Sequence, residues 1–290
     1  MNQNGANNQV GGWLFQEDNL QEIERTKTVY CGTPLADLPK EVDPRKHPSY
    51  GAGFLRTENQ GSIGSCAGNA LTECAEYSWT IETGRVMQFC RMFAYLETQK
   101  VDGIRGDRGS TISGGTTVAK SVGFCPEPDS KPYPRRYPGY SWVTGEMREA
   151  AKRFTMKSHT VMRSPDDCKT YLGDGLGIIQ IGIRWGRSMS PDRDGCIAGF
   201  RVGGGGHSVA IAGYVPDSVV GRRSGDGYWF LLKNSWGTRW GKDGWAYVSP
   251  SAINSMIRSR YSSFVGRSDM GNPEPRPDRV DFEEQSRWID

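Results

Sequence analysis

Hydrophobic positions follow a helical spacing through the first half of the chain and fall into short alternating or continuous runs in the second half. Over 66–79, Ala67, Ala70, Leu71, Cys74 and Ser78 recur one turn apart, while Asn69, Thr72, Glu73 and Glu76 supply polar positions. That pattern predicts a buried helix with one wet stripe. Val86, Phe89, Cys90, Phe93 and Leu96 predict a second helix over about 86–99, and a third follows Ser113-Gly114-Gly115 to Val122. Short helices are expected over 145–157 and 165–173. The runs Gly177–Ile183, Val209–Tyr214, Tyr228–Lys233 and Trp245–Val248, bounded by Gly and Pro, then read as strands of an antiparallel sheet. Helices first and strands later define an α+β fold of two lobes with a cleft between them.

The flanks differ in character. Residues 1–30 are polar apart from Trp13, Leu14 and Phe15 and a helical spacing through Leu20 and Ile23, so 1–35 reads as an extension. Pro34, Pro39, Pro44 and Pro48 favour extended chain laid over a surface. Pro, Gly and Tyr crowd an irregular crossing at 123–145. From Gly266 onward, charges and Pro273, Pro275 and Pro277 predict a flexible tail, leaving 36–265 as the folded domain.

Composition narrows the function classes. A net charge of +3, from 36 basic and 33 acidic residues interspersed along the chain, implies no obligatory polyanion, so no nucleic-acid partner is expected. No run approaches the roughly 18 apolar residues of a membrane span, and no membrane partner is expected. The N-terminus lacks the basic start and apolar run of a signal peptide, which makes cytosolic synthesis the expectation. The 7 cysteines include no CxxC pair, so neither a zinc site nor a disulfide scaffold is expected, and no metal or cofactor. Each cysteine except Cys66 reads as a small buried hydrophobe.

Cys66 opens the first predicted helix after Gly61-Ser62-Ile63-Gly64-Ser65, whose glycines permit a tight turn. A thiol there gains acidity from free backbone N–H groups and from a histidine that can become imidazolium. The Cys66 amide can also face a developing oxyanion. Of the 3 histidines, His47 and His159 read as ordinary surface residues. His207 ends the glycine run 203–206 and begins a strand, so a flexible loop delivers it to the rim of a rigid sheet. Asn234 follows the strand Tyr228–Lys233, where its carbonyl oxygen can accept the imidazole Nδ1 hydrogen and fix the ring. Trp236 can cover that bond and exclude water.

Residues Asn59-Gln60-Gly61-Ser62-Ile63-Gly64-Ser65-Cys66, His207-Ser208-Val209 with Gly213-Tyr214, and Asn234-Ser235-Trp236-Gly237 with Trp240-Gly241 together resemble the active-site segments of the papain family of cysteine peptidases. Softer similarity extends from about residue 38 to 250, through Ser113-Gly114-Gly115, Gly123-Phe124-Cys125 and Lys131-Pro132-Tyr133-Pro134. The resemblance implies the papain-like two-lobed fold, a helical lobe facing a barrel-like antiparallel lobe. It implies that Gln60 donates to the oxyanion hole, that Gly64, Ser65, Gly114 and Gly115 line the substrate cleft with Trp236, and that Trp240 faces the leaving group. It further implies an N-terminal segment that occupies the cleft until removed, with Trp13, Leu14 and Phe15 as its anchor. Ile63 stands in place of the family's disulfide cysteine and Ala67 in place of its usual Trp, a pattern similar to bacterial or viral members and suited to a reducing compartment.

The expected function is peptide-bond hydrolysis through a Cys66 thioester, with His207 as general base and acid and peptides or proteins as substrates. The alternative expectations are an inactive or assembly-associated structural protein of this fold, or an amidase with the same Cys-His-Asn chemistry.

Overall fold

A computed structural model of the chain describes residues 11–15, 17–28, 30–128 and 131–271. Helix α1 (Glu17–Thr26) is followed by a stretch in which the expected extended chain is broken by two short 3-10 helices (Leu35–Asp37 and Pro44–Lys46) and by turns over 48–55, and then by α2 (Cys66–Thr83). Burial takes every residue of α2 from Cys66 to Ser78, so the expected wet stripe is absent: Asn69, Thr72, Glu73 and Glu76 are buried with the rest. The helix stops at Gly84, which adopts φ 68° and donates its N–H to the Thr80 carbonyl, a left-handed cap that favours glycine. Helix α3 (Arg91–Asp102) crosses α2 at Gly68, where a Cβ would lie 2.9 Å from that of Tyr95, so the close approach needs glycine. Helix α4 (Ile112–Ser121) starts at Thr111, whose hydroxyl accepts from the Gly114 N–H.

Opposite these helices lies one seven-stranded sheet of order β1-β7-β2-β4-β5-β6-β3. Its strands are β1 (Thr155–Val161), β2 (Ile179–Trp185), β3 (Cys196–Ile197), β4 (Gly205–Pro216), β5 (Tyr228–Lys233), β6 (Trp245–Val248) and β7 (Ser262–Gly271). All pairs are antiparallel except β3 with β6. Helices α5 (Gly145–Ala151), α6 (Pro165–Gly173), α7 (Asp217–Val220) and α8 (Pro250–Ile257) fill the connections. The α+β, papain-like architecture predicted from the sequence is present, although the sheet is open and does not close into a barrel. No helix among the described residues is long and apolar enough to cross a membrane.

Helix and sheet are held in register by apolar and polar contacts. Cys74 and Tyr77 of α2 share one cluster with Ile179, Ile181, Ile211 and Leu232 of the sheet. Gln180 of β2 donates to the Ala67 carbonyl at 2.9 Å, one residue beyond Cys66. Lys233, the last residue of β5, makes a buried 2.6 Å ion pair with Glu73 of α2. Breaking such a pair strands a buried charge, so it fixes the end of β5 relative to α2.

Four further expectations are corrected. Cys31, read like the other cysteines as a buried hydrophobe, is exposed. The predicted helix 145–157 ends at Ala151, and Thr155 begins an edge strand. The predicted tail does not begin at Gly266, because residues 266–271 belong to β7, between β1 and β2. Arg267 is tolerated there because its guanidinium, 1% exposed, donates to Gln180 Oε1 (2.6 Å), Thr116 Oγ1 (2.8 Å) and the Ile112 carbonyl (3.2 Å). The remainder of the expected tail, 272–290, lies outside the described residues, as do residues 1–10 of the extension. His159, read as a surface residue, is buried on β1, with Nε2 3.0 Å from the Ile23 carbonyl of α1.

Candidate active site

Loop 61–65 delivers Cys66 to the first position of α2, where the sulfur is fully buried. Burial pushes its thiol up to about 12, opposed by the Ser208 backbone N–H that meets the sulfur and reinforced by the Asp107 charge. Ser208 follows His207, so the thiol meets the sheet beside that histidine. His207 pairs with Ile183 inside the sheet and is not at a flexible rim: Gly205 and Gly206 already belong to β4, opposite Trp185 and Arg184.

The imidazole is fixed through Nε2, 2.9 Å from Asn234 Oδ1. The expectation that Nδ1 would make this bond is corrected. Nδ1 is instead buried without a hydrogen-bond partner. Trp236 stacks on the ring at 4.4 Å and 30°, and Trp185 meets it edge-on at 4.7 Å and 85°. Trp240 touches Trp236 at 6.2 Å in a T-shaped contact. Burial lowers His207 to about 4, against the opposing Asn234 bond. Asn234 is set by the ladder of β5 and by Lys233, and its Oδ1 also accepts the Ser235 N–H at 2.8 Å.

Gln60 comes to the same place from the helical side. Its N–H donates to the Ser235 carbonyl at 2.9 Å, its side-chain Nε2 donates to the Ile63 carbonyl at 2.8 Å, and its Oε1 accepts the Ser235 hydroxyl at 2.6 Å. The Ser235 hydroxyl thereby fixes which way the Gln60 amide points, so that its NH₂ faces the turn preceding Cys66.

A strap closes the site. Gly11 N–H and Trp13 N–H donate to the Gly206 carbonyl (2.8 and 3.4 Å), Leu14 N–H donates to the Ser110 carbonyl (3.0 Å) and Ser110 N–H donates to Gly12 (3.1 Å). Trp13 thus forms a parallel bridge with Ser110 while its other edge touches the sheet. Its side chain packs with Cys66, Ala67, Ile112 and Val265. Glycines make the fit possible: a Cβ at Gly182 would lie 2.3 Å from the Trp13 ring, and one at Gly206 2.0 Å from its carbonyl.

The structure therefore brings Cys66, His207, Asn234, Gln60, Gly64, Trp236 and Trp240 to one place between helix and sheet. Three expected cleft residues stand elsewhere. Ser65 is fully buried, its hydroxyl 2.6 Å from Tyr133 Oη and 3.0 Å from Asn69 Nδ2. Gly114 and Gly115 lie in the first turn of α4, against Asp102 and Leu71, because the chain passes the strap earlier, at Gly109–Ser110. Ser235, Trp185 and Ser110 were not anticipated. Trp185 left a signal as the next position in the alternation Ile179, Ile181, Ile183, and Ser235 lies inside the Asn234-Ser235-Trp236-Gly237 segment without any role having been assigned to it. Among the described residues no cluster of three or more His, Cys, Asp or Glu could hold a metal ion.

A buried cysteine at a helix start and a buried histidine held by an asparagine amide thus stand where the helical layer meets the antiparallel sheet. The chain belongs to the papain family of cysteine proteases, whose sequence model matches residues 38–264. Mouse (Mus musculus) cathepsin F is 26% identical over 256 residues, covering 85% of this chain and 50% of cathepsin F. The probable cysteine protease RDL3 of Arabidopsis thaliana is 30% identical over 217 residues, covering 72% of this chain and 52% of RDL3. The chain thus spans about half the length of these curated relatives. In fold it is similar to xylellain, a cysteine protease from Xylella fastidiosa, with TM-score 0.68 and 20% identity over 92% of this chain and 99% of that one. It is also similar to the proform of the ragweed pollen cysteine protease Amb a 11, with TM-score 0.65 and 18% identity over 89% of this chain and 76% of that one.

Proposed function

We propose that the chain is a cysteine peptidase in which Cys66 is the nucleophile, His207 the general base and acid, Asn234 its orienting partner and Gln60 an oxyanion donor. The observation that carries this reading is the Nε2–Asn234 bond, which leaves Nδ1 as the unpartnered nitrogen of a buried ring whose next residue, Ser208, offers its N–H to the Cys66 thiol. Once the proton passes from sulfur to Nδ1, the thiolate attacks the scissile carbonyl carbon. Negative charge on the carbonyl oxygen falls to the Cys66 N–H and the Gln60 amide. Collapse breaks the C–N bond as imidazolium protonates the leaving amine. Water, deprotonated by the same imidazole, then displaces sulfur from the thioester. A neutral asparagine suffices, because the ion pair already carries its negative charge on sulfur.

The strap at residues 11–15 supports a self-inhibited state. With Trp13 packed on Cys66, the burial that raises the thiol and lowers His207 favours the neutral form of both groups. Displacement of the strap rehydrates the pair and lets the thiolate–imidazolium form gain. Peptides or proteins are the substrates of this reading. The test is labelling with an epoxysuccinyl inhibitor before and after strap removal: modification of Cys66 that rises on removal supports it, and no modification in either form refutes it. A peptide library then separates peptidase from amidase.

A further inference from the structure

Loop 103–111 leaves α3, presents Gly109–Ser110 to the strap and enters α4. No covalent link ties it to the nucleophile loop 61–65, since all cysteines of the chain are free. We propose that Asp107 is a positioning residue that locks the peptide-pairing edge Gly109–Ser110 to the nucleophile loop through Tyr95 and Gln99. This rests on the reading above that the strap lies where substrate lies.

Asp107 Oδ1 accepts the Gly64 N–H at 2.8 Å and the Tyr95 hydroxyl at 2.9 Å. The Tyr95 oxygen in turn accepts the Gly109 N–H at 3.1 Å. Gln99 Nε2 donates to the carbonyls of Gly106 (2.8 Å) and Gly109 (3.0 Å), and Tyr137 donates to Gln99 Oε1 (2.9 Å). One chain of polar groups therefore satisfies Gly64 N–H and both backbone groups of Gly109.

The tolerance at this junction is small. A Cβ at Gly64 would lie 3.4 Å from the Gly109 nitrogen, one at Gly12 2.5 Å from the Gly64 oxygen, and one at Gly109 2.6 Å from the Gly12 oxygen. An extended chain is seated between two loops in contact, so a small drift of either loop misplaces it. A carboxylate suits the junction because its charge strengthens two hydrogen bonds at once. The same charge works against the Cys66 thiolate, a cost that positioning offsets.

The full chain carrying Trp13→Ala, which opens the cleft, supplies the test. Cys66 is alkylated either with iodoacetamide, which is too small to pair with the edge, or with a peptidyl halomethyl ketone, which must lie along it. Asp107→Ala is expected to lower the ratio of peptidyl to iodoacetamide rate about tenfold, the loss of hydrogen bonds to a charged group. Asp107→Asn keeps an acceptor for Gly64 and should hold the ratio within about threefold of the parent. An unchanged ratio in Asp107→Ala, with an unchanged near-ultraviolet circular dichroism spectrum, overturns the proposal. Should Asp107→Ala fail to fold, Tyr95→Phe decides: a fall supports the lock and no change refutes it. A parent in which neither reagent marks Cys66 refutes the site assignment itself, a distinct failure.

Discussion

The helical and sheet sides of the site position their groups by different means. On the sheet side, strand ladders, the Lys233–Glu73 pair and two tryptophan rings fix His207 and Asn234. On the helical side, Gln60 and the loop before Cys66 are held by a few hydrogen bonds, with Ser235, with the Ile63 carbonyl and with the Asp107 carboxylate that accepts the Gly64 N–H. The rigid side carries the proton-transfer groups, which need orientation through the whole cycle. The looser side carries the nucleophile and the wall that must release the strap and admit a substrate.

Several substitutions probe this division, the largest effect first. Cys66→Ala removes the nucleophile and should lower peptidase kcat at least about 1000-fold, while the thermal unfolding temperature stays close to that of the parent. A variant that still cleaves a susceptible peptide would show that the helical side does not supply the nucleophile. Trp13→Ala deletes a buried indole worth roughly 3–5 kcal/mol, so Cys66 labelling should rise about 100-fold or more. An unaltered labelling rate would mean that the strap does not gate the cleft.

On the sheet side, Asn234→Ala frees the imidazole to rotate, and kcat should fall about 30-fold with little change in KM. On the helical side, Ser235→Ala loosens only the Gln60 amide, for an expected loss of about three- to tenfold in kcat. Equal effects of the two would erase the distinction drawn between the sides.

The smallest effect is in stability. His207 falls from 6.5 to about 4 on burial, and His159 and His47 are also lowered by burial. A histidine kept neutral in the fold stabilises it fully above pH 6.5 and loses that contribution as pH falls toward its folded value. Calorimetry from pH 7 to pH 4 should therefore show proton uptake on unfolding and a drop of a few degrees in Tm. Proton release over that range would contradict the burial of these rings.

Local rules made the centre of the site legible in the sequence. A glycine loop before a helix, a histidine in an apolar strand and an asparagine at a strand end each signal themselves without tertiary information. The residues that hold those groups do not. Asp107 sits among glycines and arginines like a solvated loop residue, and only Gly64 and Tyr95 reveal its role. Arg267 made a central strand read as tail, because its partners come from distant α4 and β2. His159 looked exposed for the same reason, its partner being a carbonyl of α1. A glycine pair matches by sequence both a cleft edge and a tight helix contact, and Gly114 and Gly115 make the second, against Asp102 and Leu71.

The pairing of the Cys66 thiol with the His207 imidazole is tested most directly by the pH dependence of Cys66 alkylation in the Trp13→Ala chain. An ion pair predicts reactivity that persists below pH 6 and is lost there in Trp13→Ala/His207→Ala. Reactivity that climbs only near pH 9, alike in both chains, would mean that sulfur and imidazole do not act together.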